Sequence, residues 1–274
     1  MIKHIFLDMD NTLLNSAGEL SKGGNISMIK HCGIPVTLVT ARPPAAMRTT
    51  ISQLALVDEQ VAFNGGLIFK MTGSTYETLF SKGIAFKTVT QILATVQKAF
   101  PETSASWFTL QDWFTEKKSQ AIIREANITH QKPVMMPFNE LTQLTKTTIY
   151  KIMLISPPTP PADTEILEKY LQTLHFPGIT VTRSNRNYLE ITNEEISKRN
   201  GILYLKKRNG LVKHELAAFG DGRNDMTMFD VVGTAIAMAN AEPTVKKAAD
   251  YVTRSNDADG VGYGIQKILA KNSH

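Results

Sequence analysis

The 274-residue sequence predicts an α/β protein in which a doubly wound parallel sheet is interrupted by an inserted α+β unit. Three observations lead to this prediction. Short apolar runs alternate with helix-like segments at both ends of the chain, which is the order that builds a parallel sheet. The alternation stops near residue 83 and resumes near residue 188. Polar residues follow several of the apolar runs, and ligands of open α/β sheets bind beyond the carboxyl ends of strands.

The N-terminal stretch has the pattern strand, helix, strand, helix. Ile5-Phe6-Leu7 is a short apolar run bounded by polar residues, as expected for a buried strand. The further elements expected here are a helix over 22–32, a strand over 35–40, a helix over 45–56, a short strand over 61–63 and a hairpin over 67–80. Gly33 marks the end of the first helix, and Thr72-Gly73-Ser74 is the expected hairpin turn.

The middle of the chain has a different pattern. Apolar residues at helical spacing predict helices over 88–100 and 163–174. One face of the second helix is expected to carry Ile166, Leu167, Tyr170, Leu171 and Leu174. The other expected elements are two strands and a helix between 106 and 126, a strand over 149–155 and a strand over 179–182. The proline-rich stretch 157–161 predicts a stiff, exposed connection.

The alternation of strands and helices returns at Tyr188. The expected elements are a strand over 189–191, a helix over 197–207, a strand over 215–219, a helix over 224–231, strands at 235–237 and 251–252 with a helix between them, and a helix over 261–270. We therefore assign 1–82 and 189–274 to a Rossmann-like core domain and 83–188 to an inserted α+β domain.

Composition excludes several classes of protein. The chain is 42% hydrophobic and 20% charged, with a net charge of +5. No Lys/Arg cluster is interleaved with aromatic residues, so nucleic acid is not the expected partner. The mild basic excess fits an anionic small substrate or plain surface composition. No apolar segment reaches the roughly 18 residues that a membrane span needs. Cys32 is the only cysteine and no secretion signal is visible, so we expect a cytoplasmic protein.

Asp8 and Asp10 end the first predicted strand. Such a pair suits a hard divalent cation, which prefers oxygen ligands and keeps waters for a substrate phosphate. A calcium-binding EF-hand loop is one competitor, because Glu19 stands at the twelfth position from Asp8. That loop needs glycine where Leu13 stands, and it needs a helix where this chain has a strand.

A second acidic signal is the run Gly220-Asp221-Gly222-Arg223-Asn224-Asp225, which follows an apolar strand and precedes a helix. Two glycines permit a tight turn, and Asp221 and Asp225 add carboxylates at a strand end. The alternative is an ordinary acidic turn, with Asp225 near a helix N-terminus where its charge is favourable.

Two further segments could bind an anion. Thr40-Ala41-Arg42 offers a hydroxyl and backbone N–H groups at a helix start, although a plain helix cap has the same composition. Lys198 begins a helix and, taken alone, is most simply a solvated charge. All four segments lie at strand ends or at the starts of the following helices. Together they offer carboxylates for a metal, a hydroxyl and a cation for a phosphate, and a carboxylate nucleophile.

On these residues the chain resembles the haloacid dehalogenase (HAD) superfamily, in its Cof-type phosphatase branch. The matching motifs are Asp8-x-Asp10-x-Thr12, Thr40 after an apolar strand, Lys198, Gly220-Asp221-Gly222-x-Asn224-Asp225, Ala237-Met238-Ala239-Asn240-Ala241, Ala249-Asp250-Tyr251-Val252-Thr253 and Asp259-Gly260-Val261. The resemblance covers 1–82 and 189–274. The middle of the chain matches only in length and in its similarity to the large cap domain of the family.

The resemblance implies a role for each residue of these motifs. Asp8 would attack phosphorus to form an aspartyl-phosphate, and Asp10 would protonate the leaving oxygen and then activate water. Mg²⁺ would be held by the Asp8 carboxylate, the Asp10 backbone carbonyl and Asp221. Thr40, Lys198 and the Ala41-Arg42 segment would bind the phosphate. Asn224 and Asp225 would position the phosphate and the metal ligands.

The implied activity is Mg²⁺-dependent hydrolysis of small phosphomonoesters, with sugar phosphates as the expected substrates. Asp10 favours a phosphatase or a phosphomutase, because members that keep the aspartyl-phosphate carry threonine there. The alternatives are a phosphomutase and a non-catalytic protein that binds phosphorylated metabolites. The expected partner is a small phosphorylated metabolite, and the oligomeric state is left open.

The chain departs from the family pattern at four positions. Asn11 and Ala41 each stand where glycine is commoner, Arg199 replaces the glycine usual after the lysine, and Arg223 adds a cation to the acidic loop. None of these changes removes a catalytic group. The residues expected to line the entry to the site are Arg42, Asn64, Arg183 and Arg186.

Overall fold

The computed structural model describes residues 1–21, 23–129, 131–157 and 162–272. The chain forms two compact units. The first comprises Met1–Arg42, Met47–Phe80 and Ser197–His274, and the second comprises Pro43–Ala46 and Ser81–Ile196. A parallel α/β core with an inserted α+β unit, the predicted fold class, is confirmed. No helix in the described part of the chain is long and apolar enough to cross a membrane.

Strands and helices alternate in the first unit and mix in the second. In chain order, the strands are β1 His4–Leu7, β2 Val36–Leu38, β3 Gln60–Ala62, β4 Leu67–Thr72, β5 Thr75–Ser81, β6 Ser104–Phe108, β7 Trp113–Thr115, β8 Val134–Met135, β9 Lys151–Ile155, β10 Ile179–Asn185, β11 Tyr188–Asn193, β12 Leu216–Gly220, β13 Thr234–Ala237 and β14 Tyr251–Val252. The α-helices are α1 Gly24–His31, α2 Pro44–Leu54, α3 Phe86–Ala99, α4 Gln120–Thr129, α5 Ala162–Thr173, α6 Lys198–Arg208, α7 Met226–Phe229, α8 Pro243–Ala248 and α9 Gly260–Asn272.

The first unit is built on a sheet of order β14-β13-β12-β1-β2, in which every neighbouring pair is parallel. β1 lies inside this sheet, and all four of its residues are buried. This explains why its sequence is a continuous apolar run, since a parallel strand covered on both faces needs no polar alternation. A small sheet of order β3-β4-β5 contains the predicted hairpin.

The register of the parallel sheet brings three loops to one edge. Leu7 of β1 pairs with Leu38 of β2 on one side and with Phe219 of β12 on the other. The segments that follow these residues therefore leave the sheet side by side. They carry the motifs beginning at Asp8, Thr40 and Gly220.

The second unit has a sheet of order β10-β11-β9-β6-β7-β8, antiparallel except for the β7–β8 pair. Its core joins one face of the sheet to α3 and α5. In α3, the buried apolar residues recur at helical spacing: Val89, Ile92, Leu93 and Val96.

β11 corrects one prediction. The division at residue 188 gave all of β11 except Tyr188 to the parallel core, but β11 pairs antiparallel with both β9 and β10. A short strand pattern does not reveal which sheet a strand joins. The sequence Tyr-Leu-Glu-Ile-Thr-Asn nevertheless alternates, and its burial alternates with it. That period of two is typical of an antiparallel strand covered on one face.

Two helices also differ from expectation. In α5, Leu167 and Leu171 are buried, but Ile166 and Tyr170 are 53% and 38% exposed, and Leu174, one residue beyond the helix, is 43% exposed. The helix therefore buries a narrower stripe than its apolar residues predicted. The helix expected over 224–231 is a 3-10 turn, Arg223–Asp225, followed by the single turn of α7.

Some segments were not predicted or cannot be compared. β8 and a 3-10 helix, Phe138–Leu144, had no expectation attached to them. Of the proline-rich connection, residues 158–161 lie outside the described part of the chain.

Candidate active site

The loop after β1 separates its two aspartates. Met9–Leu13 forms a single wide turn, interrupted at Asp10 (φ −72°, ψ 128°) and at Asn11, which is left-handed (φ 55°, ψ 8°). Met9 and Leu13 are buried below the turn. Asp8 is consequently buried, with 6% of its surface exposed, whereas Asp10 is exposed.

Lys198 is the cation of the site. It is the first residue of α6, and the Ser197 hydroxyl caps this helix by accepting the N–H of Asn200 at 3.1 Å. The lysine side chain is almost completely buried, and its ammonium group donates to Asp8 Oδ1 and, at 2.6 Å, to Asp225 Oδ1. One buried ammonium group therefore binds two buried carboxylates.

Gly65 permits the start of α6 to lie where it does. Its φ is +101°, and a Cβ at this position would overlap the carbonyl oxygen of Ser197. A side chain at position 65 would therefore push against the residue that precedes Lys198.

The loop after β12 wraps around Asp225. Its Oδ2 accepts the backbone N–H groups of Asp221 and Gly222, both at 2.9 Å. A Cβ on Gly220 would overlap the Asp225 side chain, so glycine is required for this close approach. Asp221 accepts a hydrogen bond from the Thr12 hydroxyl at 3.2 Å, which joins this loop to the loop after β1. Asn224 is exposed on the same loop.

Burial raises the pKa of two of these carboxyl groups. For Asp8, burial and the neighbouring Asp225 raise the pKa to about 8, against the opposing influence of Lys198. For Asp221, burial and Asp225 raise the pKa to about 6. Burial alone would lower the pKa of Lys198, but the charges of Asp225 and Asp8 outweigh it and raise that pKa. The lysine therefore stays charged while the carboxylates repel one another.

The donor set fits a divalent metal ion. Asp8, Asp221 and Asp225 each offer one carboxylate oxygen, and these three oxygens lie within 4.8 Å of one another. Three carboxylates and one ammonium group leave a formal charge of −2, which a divalent cation would neutralise. Carboxylate oxygens are the ligands that hard cations prefer. The Asp10 carboxylate is not part of this cluster.

Asp10 is instead bound by Arg42. The guanidinium group forms a two-pronged ion pair with the carboxylate, with Nη2–Oδ1 at 2.5 Å and Nε–Oδ2 at 3.0 Å. The side chains of Arg42 and Asp10 are 24% and 51% exposed. Arg42 was expected to face the phosphate, and here it fixes the direction of the residue expected to move protons.

Thr40 is buried, with 1% of its surface exposed. Its hydroxyl oxygen accepts the N–H of Arg42 at 3.2 Å, and its carbonyl oxygen accepts the N–H of Asn64 at 2.8 Å. Asn64 has a left-handed backbone (φ 54°), and its buried Oδ1 accepts no hydrogen bond from a described residue. Ala41 is half-buried between Thr40 and Arg42.

Most of the predicted residues thus fall into four groups. Asp8, Lys198, Asp221 and Asp225 form one buried cluster, and the Asp10–Arg42 pair is exposed on the same unit. Thr40 and Asn64 lie together, joined by a backbone hydrogen bond. Arg183 and Arg186 belong to the second unit, where Arg183 lies 3.5 Å from Glu168.

Three residues that bind the loops of the site were missed or given no role. Thr12 binds Asp221, and the side chains of Asn240 and Asn256 bind backbone carbonyls of the loop after β1. Thr12 and Asn240 stand in motifs that the sequence itself displays. Asn256 had no signal, since it is a single asparagine in a short 3-10 helix, Asn256–Ala258, outside the matching motifs.

Several known proteins are similar to this chain over nearly its full length. A protein of Haemophilus influenzae, provisionally named as a phosphatase, is 30% identical over 271 residues, which cover 97% of this chain and 98% of that protein. The 5-amino-6-(5-phospho-D-ribitylamino)uracil phosphatase of Bacillus subtilis is 28% identical, covering 98% and 99%. The phosphoglycolate phosphatase of Methanosarcina acetivorans is 25% identical, covering 96% and 95%.

Solved structures agree with these relatives. The crystal structure of a haloacid dehalogenase-like hydrolase from Bacteroides thetaiotaomicron has a TM-score of 0.87 at 26% identity, covering 98% of this chain and 100% of that one. A protein of Thermotoga maritima has a TM-score of 0.86 at 23% identity, covering 97% of each chain, and this likeness shows the fold alone. The sequence model of the haloacid dehalogenase-like hydrolases matches residues 5–265. This chain therefore belongs to the haloacid dehalogenase-like hydrolase family.

Proposed function

We propose that this protein is a Mg²⁺-dependent phosphatase of small phosphomonoesters and that it works through an aspartyl-phosphate on Asp8. The observation that carries the proposal is the buried cluster in which Lys198 binds Asp8 and Asp225 while Asp221 lies within reach of both carboxylates. An anionic nucleophile that attacks an anionic phosphate needs positive charge beside it.

In the first step, a carboxylate oxygen of Asp8 attacks phosphorus and the bond from phosphorus to the ester oxygen breaks. The Lys198 ammonium group lowers the repulsion between the nucleophile and the phosphoryl oxygens. The Thr40 hydroxyl, which already accepts the N–H of Arg42, and the backbone N–H of Ala41 bind those oxygens. Asp10, in its protonated form, gives its proton to the departing oxygen.

In the second step, the aspartyl-phosphate is hydrolysed. Asp10, now a carboxylate, takes a proton from water as that water attacks phosphorus. The bond between phosphorus and Asp8 breaks, and phosphate and the free Asp8 carboxylate result. Arg42 orients Asp10 before substrate binds, because its two hydrogen bonds fix both carboxylate oxygens.

Asp8, Asp221 and the Asp10 backbone carbonyl would hold Mg²⁺, with Asp225 and Asn224 supporting them. A bound Mg²⁺ supplies positive charge to the transferring phosphoryl group. Asp225 is suited to support because both of its oxygens are already engaged, one by Lys198 and the other by two backbone N–H groups.

The proposed substrates are sugar phosphates and similar phosphorylated polyols. Two relatives are named as phosphatases of small organic phosphates, and the name of one includes a phosphorylated ribityl chain. Such molecules are small, polar and anionic, in keeping with the formal charge of +5 on this chain.

The test is hydrolysis of p-nitrophenyl phosphate with Mg²⁺ and with a chelator, by the wild-type protein and by the Asp8→Asn variant. The wild type is expected to release phosphate only with the metal. Asp8→Asn keeps an oxygen for Lys198 and is expected to fold and to lose turnover. Metal-dependent hydrolysis by Asp8→Asn would contradict the assignment of the nucleophile.

A second assay separates the phosphatase from the phosphomutase. With a hexose monophosphate as substrate, a phosphatase releases inorganic phosphate and free sugar. A phosphomutase converts the substrate into an isomer without net release. Isomerisation as the main outcome would replace the proposed function with the mutase.

A further inference from the structure

We propose that Asn240 is a positioning residue for Asp10, acting through the backbone of Asn11, and that Asn256 holds Asn240 in place for this task. The inference rests on the proposed phosphatase function. It gives a role to the motif Ala237-Met238-Ala239-Asn240-Ala241, which the reaction described above does not use.

The first observation is a direct bond to the residue next to Asp10. The amide Nδ2 of Asn240 donates to the carbonyl oxygen of Asn11 at 2.8 Å. These two asparagines are 229 positions apart in the sequence. The bond therefore depends on the packing of the loop after β13 against the loop after β1.

The second observation is that Asn240 is itself held. Its Oδ1 accepts the backbone N–H of Asn256 at 3.0 Å. The side chain of Asn256 is 2% exposed, and its Nδ2 donates to the carbonyl oxygen of Leu14 at 3.0 Å. The two asparagines thus hold the loop after β1 by hydrogen bonds to the carbonyl groups of Asn11 and Leu14, on either side of Thr12.

The left-handed backbone of Asn11 explains why these hydrogen bonds are needed. Its φ of 55° lies in the left-handed region, where residues other than glycine have a higher conformational energy. A residue in that region relaxes unless contacts around it determine its conformation. Rotation at Asn11 would turn Asp10 relative to Thr12, and Thr12 is fixed by its bond to Asp221.

The consequence concerns proton transfer. A general acid must lie within hydrogen-bond reach of the oxygen that it protonates. Arg42 binds the carboxylate of Asp10, and Asn240 binds the backbone carbonyl of the next residue, Asn11. Loss of the Asn240 bond should therefore reduce protonation of the leaving group, while Asp8 and Lys198 stay in place.

This predicts a dependence on the leaving group. p-Nitrophenolate departs without a proton, whereas the alkoxide of β-glycerophosphate needs one. kcat/KM includes departure of the leaving group and excludes the later hydrolysis. We expect Asn240→Ala to lower kcat/KM for β-glycerophosphate by about ten- to a hundredfold, and for p-nitrophenyl phosphate by about threefold or less.

Asn272 offers a matched control. Its side chain also accepts a backbone N–H and donates to a backbone carbonyl, in both cases that of Ile2, at 2.9 and 3.2 Å. Asn272→Ala should change kcat/KM for neither substrate by more than about twofold. Asn240→Asp is a second variant that keeps the acceptor for Asn256 and removes the donor to Asn11. It should show the same difference between the substrates as Asn240→Ala.

A double-mutant cycle tests whether Asn240 acts through Asp10. In an Asp10→Asn background, Asn240→Ala is expected to cause no further loss with β-glycerophosphate. An equal additional loss in that background would overturn the inference, as would equal losses for both substrates in Asn240→Ala alone. If the wild type hydrolyses neither substrate with Mg²⁺, the proposed function fails and this inference fails with it.

Discussion

The Lys198 ammonium group determines the electrostatics of the site, because it binds two carboxylates that are both buried. Two buried carboxylates that share one ammonium group keep a net negative charge. Burial raises the pKa of Asp8 and of Asp221, and the neighbouring negative charge of Asp225 raises both further. The site is therefore built to receive a further cation rather than to be neutral by itself.

Lys198→Met tests this balance. The substitution keeps the length of the side chain and removes the ammonium group that pairs with Asp8 and Asp225. Removing one member of a buried ion pair typically costs about 3–5 kcal/mol of unfolding free energy. Urea denaturation in the presence of a chelator measures the loss, and Lys3→Met is the control because the Lys3 side chain, which pairs with Glu215, is exposed. Similar losses in the two variants would contradict the account.

The raised pKa of Asp221 gives a pH dependence of known sign. A carboxyl group whose pKa is higher in the folded state destabilises that state increasingly as pH rises from the unfolded pKa to the folded one. For Asp221 this interval runs from 3.8 to about 6. Without metal, Asp221→Asn should therefore gain stability over the wild type across this interval and keep the gain above it.

The comparison with the wild type matters, because burial lowers the pKa of His4 to about 4 and gives the opposite slope. His4 is present in both proteins, so its contribution cancels in the difference. Chelator-treated samples denatured at several pH values between 4 and 8 give this difference. A gain that shrinks as pH rises would show that Asp221 is not destabilised by its surroundings.

At the scale of elements, the site depends on where loops end and helices begin. β1, β2 and β12 are in register at their carboxyl ends, so three chemically different loops start at one edge. α6 brings its first residue, Lys198, to the same cluster. Gly65 permits that approach, because its missing side chain leaves room for the Ser197 carbonyl.

Gly65→Ala is the corresponding test. Alanine at position 65 would have to adopt a φ of +101°, and its Cβ would overlap the carbonyl oxygen of Ser197. We therefore expect backbone strain and a displacement of α6. Backbone strain of this kind is worth about 1–3 kcal/mol. We expect lower stability together with a fall in kcat/KM for p-nitrophenyl phosphate.

Gly73→Ala separates the two effects. Gly73 also has a positive φ, of +61°, but a Cβ there meets nothing within 4 Å. This control should lose stability and keep its activity. If Gly65→Ala also kept full activity, the position of Lys198 would not depend on this contact.

The sequence predicted an element correctly where its local pattern of apolar residues matches the burial of that element. β1 is an apolar run because it is covered on both faces, and its prediction was correct. β11 was given to the wrong sheet, because strand pairing is a tertiary property that a local pattern does not contain. α5 was predicted with too wide an apolar face, because two of its large apolar side chains are exposed.

At the scale of the whole molecule, the site joins residues that are far apart along the chain. The sequence identified Asp8, Lys198, Asp221 and Asp225, and they do meet. It could not show that Arg42 binds Asp10, or that Asn240 and Asn256 hold the loop between Asn11 and Leu14, because those contacts depend on folding.

Metal binding should stabilise the assembled protein. A ligand that binds only the folded state raises Tm as its concentration rises. We expect Mg²⁺ to raise the Tm of the wild type by about 3 °C or more and to have little effect on Asp221→Asn. Asp230→Asn is the control, because Asp230 is exposed and lies outside the cluster. Equal Mg²⁺ responses in all three proteins would place the metal elsewhere.

The central claim, that Asp8 carries the phosphoryl group, has one direct measurement. Wild-type protein mixed with Mg²⁺ and p-nitrophenyl phosphate is quenched in acid during turnover and then reduced with borohydride, which converts an aspartyl-phosphate into homoserine. Mass spectrometry of the peptides is expected to find homoserine at position 8 and to find none in Asp8→Asn. Homoserine at another position, or active turnover with residue 8 unchanged, would contradict the account.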